Sequence, residues 1–381
     1  MNDSQYPYGQ NPNGQYPYGG QNPNGQYPYG GQNGGGQNPY GGQYPYGGQN
    51  ALSPEDARVR RQRILEKQRL RRLSSGAAIA TGGFILLANV LYMPYIFFIT
   101  KNILHPNTET ELILNISVDL LITLVSLFVP FFTVNRLFQK GLKVEPIRYG
   151  KATTNGADTF LFILGGFGMM MIADYIAGNL SSFIQDATGV EFAYDFFGTP
   201  TSAFGITVYI IRSTLFPAVF EEYAMRGVVM NSLRRYGDMF AITMSAMMFG
   251  LMHGNLVQTP FAFLAGLILG YVVIKTGTLW TGIAIHLLNN SLSIVYSLLY
   301  DNGFEKAGEL LSMLGTAIGA GLGIICLIIL IVRKKFTRPA RNLSSLPTKS
   351  CYGAYLLTPP MILVLVGMVI MTILFQKTGS I

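Results

Sequence analysis

The stretch FGITVYIIRSTLFPAVFEEYAMRGVVMNSL, residues 204–233, decides the fold. It is apolar and long enough to cross a bilayer, whose hydrocarbon core needs about 20 residues of helix. In its second half it nevertheless carries Glu221, Glu222 and Arg226. Ionisable groups at bilayer depth are costly, and by default they mark a functional site. The stretch therefore predicts a transmembrane helix that holds a buried polar site.

The composition of the chain predicts a polytopic membrane protein around this helix. Of 381 residues, 49% are hydrophobic and only 12% are charged, about half the charged fraction usual in soluble domains. We predict an all-α bundle of eight or nine transmembrane helices, which excludes a soluble enzyme. The short segment 260–275 is the weakest of the nine. The predicted spans are 77–100, 112–134, 158–180, 204–233, 239–257, 260–275, 278–300, 310–332 and 354–375.

The first 75 residues divide into two segments. Residues 1–52 are predicted to be disordered, because residues 1–50 repeat Gln-Tyr-Pro-Tyr-Gly and Gln-Asn-Pro-Asn-Gly and hold no aliphatic side chain beyond Met1. Residues 53–75 start with Ser-Pro-Glu-Asp and continue with basic residues between aliphatic ones. They predict a basic amphipathic helix whose residues 58–72 bind anionic membrane lipid. Nucleic acid is not expected as a partner, because no recognition fold accompanies the charge.

Charge bias in the remaining domain, residues 76–380, predicts its orientation. Basic residues cluster at 136–151, 234–235 and 333–349, whereas the loops between them are acidic or nearly neutral. Short loops rich in Lys and Arg stay on the cytoplasmic side of a membrane. We therefore expect a multi-pass protein of the cell membrane with its N terminus in the cytoplasm. The tyrosine-rich repeats favour a bacterial source.

The three charged residues near the centre of the chain fall on two faces of their helix. Glu222 and Arg226 are four residues apart, so they can pair on one face and neutralise each other in a low dielectric. Glu221 points about 100° away from Glu222, which leaves its carboxylate free to meet another helix. The other ionisable residues near or within spans are assigned no role; they are Asp119, Asp174 and Arg212.

Two of the three histidines of the chain lie in the apolar segments that follow. Phe249 and His253 share a helix face, as do His286 and Asn290, because each pair is four residues apart. An aromatic ring one turn before a histidine can wall its pocket, and an amide one turn after a histidine can help it to polarise a carbonyl. Asn289 faces about 100° away from Asn290. Helix rise places all these residues inside the bilayer.

In this order, the three motifs resemble those of the CPBP family of intramembrane proteases, which contains the type II CAAX prenyl endopeptidases and the bacterial Abi and bacteriocin-processing proteins. The resemblance covers about residues 200–300, and it implies a protease core within the membrane domain. It also implies hydrolysis of a peptide bond, in a peptide or membrane-protein substrate, within a cavity open to the cytoplasm. The motifs are Glu221-Glu222-Tyr-Ala-Met-Arg226, Phe249-Gly-Leu-Met-His253 and His286-Leu-Leu-Asn-Asn290.

The resemblance implies a role for each of these residues. Glu221 with His253 would activate water as a general base and its partner. His286 and Asn290 would form the oxyanion hole for the tetrahedral intermediate. Structural support of the site would fall to Glu222, Arg226 and Phe249.

Several alternatives stay open at this point. In a metal variant of the mechanism, Glu221, His253 and His286 would ligate a divalent ion such as zinc and leave one position for water. The single-helix zinc motif His-Glu-x-x-His is absent, so the sequence does not choose between the two mechanisms. A non-catalytic immunity or scaffold protein of the membrane would keep the same fold. A transporter is disfavoured, because no internal repeat relates two halves of the spans.

Overall fold

The structure, a computed structural model, describes residues 53–99, 108–138, 149–188, 198–340 and 343–378. The disorder predicted for residues 1–52 lies outside this part of the chain. The prediction of an all-α fold is confirmed, since the described residues form helices and no strand. The helices are α1 (Pro54–Pro94), α2 (Glu109–Phe138), α3 (Gly156–Thr188), α4 (Ala203–Tyr236), α5 (Asp238–Met252), α6 (Gln258–Thr276), α7 (Leu279–Asp301), α8 (Glu305–Val332), α9 (Thr348–Leu356) and α10 (Pro359–Thr378).

Within the described residues, seven helices are long and apolar enough to cross a membrane: α1 to α4 and α6 to α8. The pair α9 and α10, bent by 72°, gives an eighth span if it is counted as one. The count therefore agrees with the lower of the two numbers predicted from the sequence. The segment 260–275, predicted as the weakest span, lies in α6 and is one of the seven.

The helix that falls short of a span is α5. It was predicted to extend over 239–257, but it ends at Met252 and has 15 residues. The chain turns because Gly254 adopts a φ of 66°, in the left-handed region that favours glycine. The Asn255 side chain then accepts a hydrogen bond of 2.7 Å from the backbone N–H of Gln258, where α6 begins. Helices α5 and α6 thus form a hairpin whose tip is residues 253–257.

The basic segment and the first span form one continuous helix, α1. Its N terminus is capped by Ser53, whose hydroxyl accepts a hydrogen bond from the backbone N–H of Asp56. Toward residue 75 the helix packs into the bundle, where Leu70 and Leu73 are buried. Glu66 is also buried and accepts a hydrogen bond of 2.5 Å from Arg235. One face of the segment that was predicted to lie on lipid therefore packs against the helix bundle.

Helix α4 lies among α2, α5 and α7 and provides the centre of the core. Two π-helical segments, Ile211–Leu215 and Tyr223–Met230, flank the α-helical turns Phe216–Glu222. Such insertions widen a helix locally and occur frequently at functional sites. They bracket the part of α4 that ends in the two glutamates.

Candidate active site

Helix α4 carries a buried ion pair at the centre of the site. Arg226 donates a hydrogen bond of 2.7 Å from Nη1 to Oε1 of Glu222, and both side chains are 0% exposed. The spacing of four residues predicted this pair. A buried charge is tolerated only when it is paired, so the two residues hold each other in place.

The guanidinium group of Arg226 also lies over an aromatic ring. Its central carbon is 4.5 Å from the centroid of the Phe249 ring on α5. Among the described residues, Nε and Nη2 of Arg226 have no hydrogen-bond partner, so the face of the ring is their main favourable contact. Phe249 also packs edge-on against His253 and His286, with ring centroids 5.0 and 6.1 Å apart. It therefore connects the ion pair to both histidines.

His253 follows the last residue of α5, and the end of the helix orients its ring. Its backbone N–H donates to the carbonyl of Gly250, which leaves the carbonyl of Phe249 without its usual partner four residues on. The Nδ1 atom of His253 lies 2.8 Å from that carbonyl oxygen. A carbonyl only accepts, so Nδ1 carries a proton, and Nε2 is the nitrogen that offers a lone pair when the ring is neutral. The end of α5 thus fixes which nitrogen of His253 can act as a base.

His286 on α7 lies between the two glutamates. Its Nδ1 is 3.2 Å from Oε1 of Glu222, and its Nε2 is 3.9 Å from Oε2 of Glu221. The ionised Glu222 only accepts, so Nδ1 donates to it. When the ring is protonated, Nε2 is also a donor, and the cluster of two carboxylates, Arg226 and His286 has no net charge.

Asn290 lies one turn after His286, and hydrogen bonds hold both ends of its side-chain amide. Its Nδ2 donates a hydrogen bond of 3.3 Å to the backbone carbonyl of Ser213 on α4. The amide has two N–H groups, so one remains available to another acceptor. Asn289 donates to the side-chain oxygen of Asn290 at 3.3 Å. In this contact the side-chain oxygen of Asn290 faces Asn289, so the NH2 group of Asn290 points away from Asn289.

One cavity brings the four predicted catalytic residues together. It has a volume of about 670 Å³, and Glu221, His253, His286 and Asn290 all line it. Glu222 and Arg226 are fully buried behind it. The three sequence motifs, which come from three different helices, therefore line one cavity.

The cavity contains further charged residues that the sequence analysis left without a role. Arg212 on α4 donates a hydrogen bond of 2.6 Å to Asp119 on α2, which also accepts one from the hydroxyl of Tyr92. Asp174 on α3 lines the same cavity. Each of these three residues is an isolated charge in an apolar run, and this was the only sign of them in the sequence. Spacing rules apply within one helix, so they do not predict which charges on different helices pair.

Gly282 is a site residue that the sequence analysis missed. It lies on α7 one turn before His286, and a Cβ atom at this position would be 2.7 Å from Oε2 of Glu222 and 2.7 Å from Cγ2 of Val273. Only glycine lets the Glu222 carboxylate approach α7 closely enough to reach His286. The glycine thus makes the contact between the two helices possible.

We expect Gly282→Ala to displace Glu222 and to lower both melting temperature and cleavage. Forcing one methyl group into a packed site costs about 1–3 kcal/mol. The matched control is Gly321→Ala on α8, where a Cβ would meet nothing within 4 Å. The control should melt at or slightly above the wild-type temperature, because alanine is the better helix former. Thermal melting in detergent checks both, and equal melting of the two variants would contradict the role of Gly282.

The donor atoms of the site have the types that a divalent metal prefers. Each histidine engages its Nδ1 with a second partner, Glu222 or the Phe249 carbonyl, as metal-binding histidines commonly do. In the part of the chain that the structure describes, however, no three His, Cys, Asp or Glu side chains are grouped so as to hold one metal ion. The side chains thus have suitable chemistry but are not drawn together around an ion.

Known proteins are similar to the part of the chain that contains this site. Residues 203–292 match the model of the family described as type II CAAX prenyl endopeptidase Rce1-like. The chain is 28% identical over 111 residues to the membrane-embedded CAAX protease MroQ of Staphylococcus aureus (strain USA300), a match that covers 27% of this chain and 45% of MroQ. It is 20% identical over 176 residues to the putative membrane peptidase YdiL of Bacillus subtilis (strain 168), covering 45% of this chain and 69% of YdiL. No solved structure matches.

The matched region runs from the start of α4 into α7 and contains all seven residues of the three motifs. The chain spans less than half the length of MroQ, and the relatives cover only part of this chain. The resemblance seen in the motifs is nevertheless confirmed over residues 203–292, which are similar to the family described as type II CAAX prenyl endopeptidase Rce1-like, and the described helices are those of a multi-pass membrane protein.

Proposed function

We propose that this chain is an intramembrane endopeptidase that hydrolyses a peptide bond in a peptide or membrane-protein substrate. One observation carries the proposal: the carboxylate of Glu221 faces His286 at 3.9 Å in a cavity that His253 and Asn290 also line. The Rce1-like match supports peptidase activity in general. The roles of the individual residues are our own assignment.

Glu221 is the proposed general base. Its carboxylate takes one proton from a water molecule, and the water oxygen attacks the carbonyl carbon of the scissile peptide bond. The neutral His253, with its free Nε2 lone pair, accepts a hydrogen bond from the same water and orients it. The proton held on Glu221 then passes to the nitrogen of the leaving amine as the C–N bond breaks. The products are a carboxylic acid and an amine, which exchange a proton to give a carboxylate and an ammonium group, and no reactant other than water is consumed.

His286 and Asn290 are the proposed oxyanion hole. The carbonyl oxygen of the substrate becomes negatively charged in the tetrahedral intermediate. Nε2–H of the protonated His286 and the remaining N–H of Asn290 would donate hydrogen bonds to it. Both groups are held before the reaction, His286 by Glu222 and Asn290 by the Ser213 carbonyl, so little reorganisation is needed during catalysis. Phe249 and Arg226 hold the Glu222 side chain in the position from which it binds His286.

We expect Asn290→Ala to lower kcat about 10²–10³-fold with little change in melting temperature, as removal of one oxyanion donor does. The matched control is Ser293→Ala, which also lines the cavity from α7 and donates only to the backbone carbonyl of Asn289. Initial rates of cleavage of one identified peptide separate the two variants. Equal rates for Asn290→Ala and Ser293→Ala would contradict the assignment.

We also propose that the exposed face of α1 contacts anionic lipid. The basic residues of its first half are exposed, and the apolar Val59, Ile64 and Leu65 among them are 40%, 50% and 57% exposed. Exposed apolar groups between basic groups suit the boundary between lipid headgroups and hydrocarbon. This contact would keep the N-terminal end of the helix on the cytoplasmic side of a cell membrane.

Cleavage of a diverse peptide pool tests the proposed activity. The protein, purified in detergent, is incubated with the pool, and mass spectrometry detects new termini; material purified in the same way from cells without the protein is the control. New termini only in the presence of the protein support the proposal, and identical spectra contradict it. A strong chelator in a parallel incubation tests the metal variant: loss of cleavage that zinc restores would assign Glu221, His253 and His286 as ligands.

A further inference from the structure

The catalytic cavity extends toward one end of the helix bundle. On α7 its lining runs from His286 to Ser297, close to the end of that helix, and on α4 it runs from Glu221 back to Tyr209, close to the start. Gln258, beside the tip of the α5–α6 hairpin, belongs to the lining as well. The start of α4 and the start of α2 lie together, because the backbone N–H of Thr201 donates to Glu109 at 3.1 Å.

The opposite end of the bundle collects the basic residues. Arg333 and Lys335 at the end of α8 pair with Asp158 near the start of α3, at 3.1 and 3.3 Å. Lys275 at the end of α6 donates to Thr337, and Arg234 at the end of α4 pairs with Asp238. These contacts connect the ends of α4, α6 and α8 with the start of α3 at the same end of the bundle.

Packed side chains separate the catalytic residues from this basic end. Below Glu221 on α4, Met225, Arg226 and Met230 are 0% exposed and Leu233 is 1% exposed. Leu70 of α1 belongs to the same core. The described side chains therefore close the cavity on the basic side, and its lining continues only toward the other end.

We propose that the catalytic cavity receives its substrate from the extracytoplasmic face of the membrane. Short loops rich in Lys and Arg remain in the cytoplasm, and the cavity extends away from the described basic residues at 234–235 and 333–338. This differs from the opening to the cytoplasm that the family resemblance implies. The inference rests on the proposed function, and it narrows the substrate class to exported peptides and to the outward-facing segments of membrane proteins.

Cysteine accessibility in intact cells tests the inference. Cys326 and Cys351 are both buried and are replaced by alanine in the full chain. Ser297→Cys then reports on the cavity mouth, and Ser350→Cys reports on the basic end, where Ser350 is exposed in the first turn of α9. A membrane-impermeant maleimide is added to intact cells and, in parallel, to permeabilised cells. We expect Ser297→Cys to react equally in both, and Ser350→Cys to react only after permeabilisation.

Reaction of Ser297→Cys only after permeabilisation would overturn the inference, as would reaction of Ser350→Cys in intact cells. Gln258→Cys provides a second, independent position at the mouth if the first variant fails to fold, and the same result is expected of it. Labelling does not depend on turnover. A protein that labels as expected but cleaves no peptide would therefore contradict the proposed function and leave the access route standing.

Discussion

Glu221→Gln is expected to abolish cleavage while the protein keeps its fold. Glutamine has nearly the same shape as glutamate but cannot accept a proton from water, so the general base is lost. Such a loss lowers kcat about 10²–10⁴-fold. Because Glu221 lines the cavity and is not part of the fully buried ion pair, its replacement leaves the core intact. The rate of cleavage of one identified peptide and the melting temperature in detergent are the two measurements.

The control for this variant is Asp301→Asn, which makes the same change from carboxylate to amide at the end of α7, outside the lining of the cavity. It should cleave at the wild-type rate. A Glu221→Gln protein that keeps wild-type activity would contradict the base assignment. A Glu221→Gln protein that no longer folds would show that this carboxylate stabilises the scaffold, and the base would have to be sought elsewhere in the cavity.

Much of this site could be predicted from the sequence, because spacing within one helix decides which side chains share a face. The pair Glu222–Arg226 was predicted in this way, and so was the divergence of Glu221. Contacts between helices could not be predicted by the same rule. That Glu222 reaches His286 depends on the approach of α4 to α7, which Gly282 permits. The sequence contains no distance between two helices, so the role of a single glycine in an apolar run could not be predicted.

The fold differs from the predicted one at the end of α5. Gly254 ends α5 after 15 residues, and this end frees the Phe249 carbonyl that orients His253. A glycine directly after the histidine was visible in the sequence, but the hydrophobic run around it favoured a full span. The side toward which the cavity opens could not be predicted from the sequence either, because it depends on which helix ends contain packed side chains. The pairing of Asp119 with Arg212 likewise needed the arrangement of two separate helices.

Arg226→Met is expected to lower the stability of the protein more than any other single change discussed above. It removes the guanidinium that pairs with the fully buried Glu222 carboxylate and leaves that carboxylate only its contact with His286, and breaking a buried pair in this way costs about 3–5 kcal/mol. Glu222→Gln should also destabilise, because the guanidinium would keep only the Phe249 ring as a favourable contact. Unfolding by SDS in mixed micelles, measured for each variant and for the double variant Glu222→Gln/Arg226→Met, gives the coupling between the two residues.

The matched control is Arg234→Met, which breaks another pair four residues apart on the same chain. Arg234 is 37% exposed and lies 2.9 Å from Asp238, and Asp238 keeps a hydrogen bond from the backbone N–H of Ala340. Such a pair contributes about 0–1 kcal/mol.

The double variant should recover much of the stability lost in Arg226→Met, since no uncompensated charge remains buried. It should still cleave poorly, because glutamine in place of Glu222 no longer holds Nδ1 of His286 through a charge-assisted hydrogen bond. Equal stability of Arg226→Met and Arg234→Met would contradict the buried pair, whereas full activity of the double variant would contradict the role of Glu222 in holding His286.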